Sequence, residues 1–147
     1  MNTILCVDDE EHVLKALERA LVTRGYRVLT TTSAQEAMAL LNQCEVSVII
    51  ADQKMPGLSG IDLLRWCRKN FPQVHRIILT GFVDWPELIT AVNECGIFKY
   101  LPKPWDNAEL LAFIEEALVI EEERHKEQFF LEMLKKENQN LRKERGK

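Results

Sequence analysis

The sequence is poor in the features that mark several common protein classes. Its four cysteines, Cys6, Cys44, Cys67 and Cys95, are scattered and form no CxxC pair. The three histidines, His12, His75 and His125, are equally dispersed. That spacing argues against a zinc site, whose ligands come in close pairs. It also argues against a disulfide framework, so the thiols are expected to be free, small and largely buried. No apolar run approaches the roughly 20 residues needed to span a bilayer. The N-terminus has no basic region followed by an apolar stretch and a small-residue cleavage site, so a cytoplasmic location is expected. A formal net charge of -4 gives no reason to expect a nucleic-acid surface over the whole chain. There is no internal repeat or low-complexity tract. Proline and glycine are both missing from Asn107 to Arg145.

What is present is an ordinary globular composition. With 147 residues, 46% hydrophobic and 29% charged, the chain can bury one real core. Apolar runs "TILCV" (3–7), "YRVLTT" (26–31), "VSVIIA" (46–51), "RIILT" (76–80) and "IFKYL" (97–101) read as strands. Between them lie segments with apolar residues at helical spacing, such as Val13, Leu14, Leu17 and Leu21. Boundary residues agree with this division. Gly25 can end the first helix, and Ser33 with Glu36 forms a capping-box pattern for the second. Pro86 suits the first turn of the fourth helix and Gly96 suits its end.

Five strand–helix units in alternation predict a parallel sheet covered on both faces. The first, third and fourth runs are nearly all apolar, as central strands should be. The second carries Arg27, Thr30 and Thr31 and belongs at an edge. With right-handed connections these facts select a flavodoxin-like α/β fold, a doubly wound five-stranded parallel sheet of order 2-1-3-4-5.

The fifth helix is predicted to run on. Its apolar face up to about Ile120 can cover the sheet, and the segment beyond is highly charged. Leu131, Leu134, Asn138 and Leu141 recur at spacings of three, four and three. Phe113, Ala117 and Ile120 share that register, but Arg124 and Glu127 interrupt it. Glu122–Lys126 and Glu132–Lys136 are favourable i,i+4 pairs. The expected division is a domain over residues 1–120 and a helical tail over 121–147. The tail is either a short coiled coil, a linker to a further domain, or a solvated helix.

In the predicted order the first and third strands are neighbours, and their carboxyl ends flank the crevice where open parallel sheets bind ligands. Asp8 and Asp9 end the first strand and Asp52 ends the third. Thr80 ends the fourth, and Lys103 follows the fifth. Clustered carboxylates repel one another unless a cation sits among them. Oxygen ligands without nearby thiolates favour Mg2+, which keeps open positions for a phosphoryl oxygen. An aspartate oxygen can attack phosphorus to give an acyl phosphate. Taken singly, each residue has a plainer explanation: a solvated acidic pair, a turn aspartate before Met55–Pro56–Gly57, a loop threonine, a surface lysine. Trp66, Trp85 and Trp105 read as rim or partner-surface residues, or as partly buried ones.

The motifs "VDDE", "ADQKMPGLSG", "IILTG" and "FKYLPKPW", in that order, resemble the receiver domains of two-component response regulators. The resemblance implies that Asp52 accepts a phosphoryl group from a sensor histidine kinase. It implies Mg2+ held directly by Asp9, by Asp8 mainly through water, by Asp52 and by the main-chain carbonyl of Lys54. It assigns Lys103 and Thr80 to the phosphoryl oxygens, and Thr80 with Tyr100 to a coupled switch; Tyr100 as a fixed strand residue is the plainer alternative. Lys54 and Phe82 stand where this family tunes hydrolysis of the acyl phosphate. Pro102, before the lysine, removes a backbone donor near the last strand.

The expected function is a phosphoacceptor switch, not an enzyme beyond its own phosphotransfer and dephosphorylation. The expected partners are the kinase, a second copy through the fourth helix, fifth strand, fifth helix and tail, and a covalently linked output domain. No membrane partner is expected, and nucleic-acid binding is disfavoured for this segment despite the basic end "RKERGK". The alternatives are a constitutive dimerisation scaffold with a silent receiver, and an Mg2+-dependent hydrolase working through an aspartyl phosphate. Lys54 speaks against the hydrolase, because such enzymes usually carry an acid two residues beyond the nucleophile.

Overall fold

A computed structural model describes residues 2–81 and 84–145. The chain alternates without exception: β1 (Thr3–Val7), α1 (Glu11–Val22), β2 (Arg27–Thr31), α2 (Ala34–Gln43), β3 (Val48–Asp52), α3 (Gly60–Asn70), β4 (His75–Thr80), α4 (Trp85–Cys95), β5 (Lys99–Pro102) and α5 (Asn107–Arg145). All strand pairs are parallel and the order is β2-β1-β3-β4-β5, as the hydrophobic pattern predicts. Every residue of β1 and β3 is buried, whereas β2 is half open and lies at the edge.

Side chains alternate across the strands and sort the core into two halves. Ile4, Cys6, Ile50 and Leu79 face α1 and α5, meeting Leu14, Leu17, Leu110 and Ile114. Leu5, Val7, Ile49 and Ile78 face α2, α3 and α4, meeting Ala37, Leu63, Leu64 and Ala91. Each face thus carries its own apolar helices, which is why the central strands are apolar throughout. Cys6, Cys67 and Cys95 are buried, Cys44 is half-buried, and all four are free thiols.

Local capping positions the helix starts around the carboxyl ends of the strands. Ser33 accepts from the Glu36 N–H, Ser59 from Asp62 and Asp84 from Glu87, each satisfying an orphan donor of a first turn. Pro86 lies in the first turn of α4, and Gly96 closes that helix in the left-handed region at φ 59°. The last turn of α4 is held from outside by arginines. Arg68 donates to the Asn93 carbonyl at 2.8 Å, Arg76 to the Cys95 carbonyl at 2.8 Å, and Arg65 pairs with Glu94.

Three strands start later than their apolar runs. β3 begins at Val48 rather than Val46, because its pairing with β1 starts at Ile4↔Val48. Val46 is buried without belonging to the strand. β2 and β5 start later than their apolar runs, at Arg27 and Lys99, where parallel pairing starts. Pro102 ends β5 opposite Thr80, at a sheet edge where its missing N–H leaves no central partner unpaired. The tryptophans divide: Trp66 packs on Phe71, Trp105 leans on the α1–α5 core, and Trp85 is exposed.

α5 is one continuous helix of 39 residues. Among its described side chains, Leu110, Ile114 and Ala117 are the buried ones, and beyond Glu121 every side chain through Lys143 is exposed. The Glu122–Lys126 pair forms at 3.6 Å. Among the described residues no helix is long and apolar enough to cross a membrane.

Candidate functional site

The carboxyl ends of β1 and β3 are adjacent, so Asp8, Asp9 and Asp52 meet. One carboxylate oxygen from each lies within 4.8 Å of the others. Their environments differ. Asp8 is completely buried, Asp52 is nearly so, and Asp9 is open to solvent. Asp8 uses Oδ1 to accept the Glu10 N–H at 2.9 Å. Its Oδ2, equally buried, faces an ammonium at charge-assisted hydrogen-bond distance.

That charge is Lys103. Its Nζ lies 2.8 Å from Asp8 Oδ2 and 3.3 Å from Asp52 Oδ1. The lysine is carried there by the end of β5, where its N–H donates to the Thr80 carbonyl at 2.8 Å. Burial opposes the ammonium charge, but Asp8 and Asp52 together hold the Lys103 pKa above its ordinary value. Burial, then repulsion from Asp8, pushes the Asp52 carboxyl up to about 6, with Lys103 pulling the other way. Lys103 thus sets one positive charge against two buried carboxylates, with Asp9 beside them. Three carboxylates within 4.8 Å of one another, two of them buried, fit a hard divalent ion such as Mg2+.

Thr80 ends β4, buried, on the same rim. Lys54 follows β3 and is exposed. Tyr100 sits on the edge strand β5 opposite Ile78, with 42% of its surface exposed. Its neighbours on the outer face include Val92, Pro102 and Phe113. The structure therefore brings Asp8, Asp9, Asp52 and Lys103 into one cluster with Thr80 at its rim, and leaves Tyr100 on the outer face. Phe82 lies outside the described residues.

Two features of the site are not visible in the residue pattern. Lys103 engages Asp8 more closely than Asp52, which only the side-chain distances reveal. Gly60, the first residue of α3, abuts the main chain of Asp52; a Cβ there would fall 1.8 Å from the Asp52 carbonyl oxygen. The Gly in "PGLSG" was the available signal, but its physical reason is a tertiary contact.

The model of the response regulator receiver domain matches residues 4–115. Among curated proteins, the hydrogenase transcriptional regulatory protein HoxA of Cupriavidus necator is 44% identical over 116 residues, covering 79% of this chain and 24% of HoxA. The DNA-binding transcriptional regulator NtrC of Salmonella typhimurium is 35% identical over 112 residues, covering 76% of this chain and 24% of NtrC. The chain thus spans about a quarter of the length of these curated relatives. Among solved structures, the signal receiver domain of an HD domain-containing protein from Pseudomonas fluorescens superposes with a TM-score of 0.80 at 34% identity, covering 83% of this chain and 98% of that one. A CheY-like receiver domain from Methanospirillum hungatei gives 0.80 at 28% identity, covering 84% and 98%. Sheet order, acidic cluster and lysine therefore have one common explanation, and the chain belongs to the response regulator receiver domain family.

Proposed function

We propose that this receiver accepts a phosphoryl group on Asp52 from a histidine kinase and uses it to control an output module. The observation that carries the reading is the Asp8–Asp9–Asp52 cluster with Lys103 ion-paired inside it. Asp52 is the acceptor because it ends a central strand with both the lysine and the acidic pair beside it. With its pKa near 6 it is mainly ionised at neutral pH and available as a nucleophile.

A carboxylate oxygen of Asp52 forms the new bond to phosphorus as the P–N bond of a phosphohistidine breaks. The bonding pair returns to the imidazole nitrogen of the kinase. Asp9 and Asp8, Asp52 and the Lys54 carbonyl are the groups that would hold Mg2+, which supplies positive charge to the phosphoryl oxygens when bound. Lys103 moves its ammonium from Asp8 toward the new phosphoryl group, and the Thr80 hydroxyl donates to it. Tyr100, on the outer face, reports that change at the surface formed by α4, β5 and α5. Phosphorylation acts by shifting an equilibrium between two arrangements of that surface.

The surface carries Trp85, Ile89, Val92 and Tyr100, all exposed apolar or aromatic groups, and α5 leads from it into the tail. We assign homodimerisation to this face and to the tail over 121–147. HoxA and NtrC are transcriptional regulators about four times as long as the matched segment, which supports an output domain on the same polypeptide.

The test is incubation of the full chain with acetyl phosphate and Mg2+, read by intact mass. A gain of one HPO3 unit is expected, absent in Asp52→Ala. No adduct from this donor or from a histidine kinase overturns the reading, as does an adduct that persists in Asp52→Ala. A molar mass unchanged by beryllofluoride, with the chain already dimeric, favours a constitutive scaffold instead.

A further inference from the structure

We propose that the distal half of α5 is a seam for a second copy of the same helix, parallel and in register, with Asn138 facing Asn138. This rests on the homodimer reading above and specifies its geometry. Leu131, Leu134 and Leu141 are each 43–51% exposed, on a stretch of helix whose side chains from Glu122 to Lys143 are all exposed. With Asn138 they fall on one stripe at spacings of three, four and three, which places Leu131 and Asn138 at a positions and Leu134 and Leu141 at d positions. The stripe lies roughly 100° around the axis from the sheet-facing residues Leu110, Ile114 and Ala117, at 3.6 residues per turn. The seam and the receiver core therefore use different sides of one helix, and pairing does not disturb the sheet.

Orientation follows from the polar residues. An asparagine at an a position pairs well only with its own counterpart across a two-stranded seam, and so selects register and strand number. Glu137 stands at g and Arg142 at the following e. In a parallel, in-register pair Glu137 of one chain faces Arg142 of the other, on both flanks. In an antiparallel pair e positions face each other, which sets Lys135 and Arg142 against like charges.

The seam starts late. Arg124 and Glu127 occupy the preceding a and d positions, and Arg124 instead lines a groove at the base of the sheet with Leu41, Phe71 and Val74. Pairing thus begins near Phe130, beyond the receiver body. Two heptads fall short of the three to four that mark a self-sufficient coiled coil. The tail therefore pairs only with help from a second contact, the outer face of α4, β5 and α5, so that pairing follows the state of the receiver.

The test is sedimentation equilibrium of the full chain, with and without beryllofluoride and Mg2+, scored on whichever form dimerises. Glu137→Arg and Arg142→Glu are each expected to weaken the dimer about tenfold, by setting like charges across both flanks. The double variant, and an equimolar mixture of the two single variants, should both return to within about twofold of the parent dissociation constant. A dimer indifferent to both reversals, or a double variant weaker than either single, overturns the parallel seam while leaving the homodimer reading standing. A trimer or tetramer overturns two-strandedness. A chain that stays monomeric in every state removes the homodimer reading and the seam with it.

Discussion

Gly60 and Asp52 are in contact through their main chains: a Cβ on Gly60 would lie 1.8 Å from the Asp52 carbonyl oxygen. The Gly60 N–H also donates to the Gln53 carbonyl at 3.2 Å. The start of α3 is therefore packed directly against the end of β3, and a hydrogen atom is the largest side chain the gap admits.

Gly60→Ala is expected to destabilise the fold by about 1–3 kcal/mol, the usual cost of forcing atoms into a filled space. Alanine's higher helix propensity would add back about 1 kcal/mol at most. The clash outweighs it because both opposing atoms are backbone and cannot rotate away. Urea unfolding decides the matter, and a variant at least as stable as the parent would show that the contact is not tight. Phosphorylation by acetyl phosphate should slow in parallel, since α3 or Asp52 must shift.

Asp52 is held charged at neutral pH against its surroundings, and Asp52→Asn should therefore raise the melting temperature of the Mg2+-free protein. The pH dependence has a definite sign. The folded-state pKa of about 6 lies above the ordinary 3.8, so the folded chain binds the proton more tightly. Stability from this group is present below about 4 and lost as pH rises through about 6. The gain from Asp52→Asn should accordingly be largest above pH 7 and shrink toward pH 5. Mg2+ should raise the melting temperature of the parent more than that of the variant. Thermal scans at both pH values check this; equal gains at pH 5 and pH 8 would contradict it.

Lys103 is the countercharge for a completely buried Asp8. Lys103→Met removes it and leaves Asp8 and Asp52 facing each other. Breaking a buried pair at one end is expected to lower stability by about 3 kcal/mol in EDTA. Mg2+ should recover most of that loss by supplying the missing positive charge. Chemical denaturation with and without Mg2+ tests both halves; a loss that Mg2+ leaves untouched would mean that the acids do not share a cation.

The alternation of elements was determined within short windows of the chain. Apolar runs, helical periods, Ser33, Pro86 and Gly96 act over a few residues, and the open character of β2 follows from Arg27, Thr30 and Thr31. Given right-handed connections, these local facts also place Asp8, Asp9 and Asp52 at neighbouring strand ends. What the tertiary structure decided is which groups touch. Lys103 reaches Asp8 from β5, two strands beyond the neighbour of β1, and Gly60 reaches Asp52 through a backbone contact that no periodicity encodes. The start of β3 at Val48 likewise depends on its register with Ile4 rather than on its own apolar run. Propensity and spacing are properties of adjacent residues. Contacts across the crevice depend on sheet order, register and the space left between backbones, which exist only once the whole sheet has assembled.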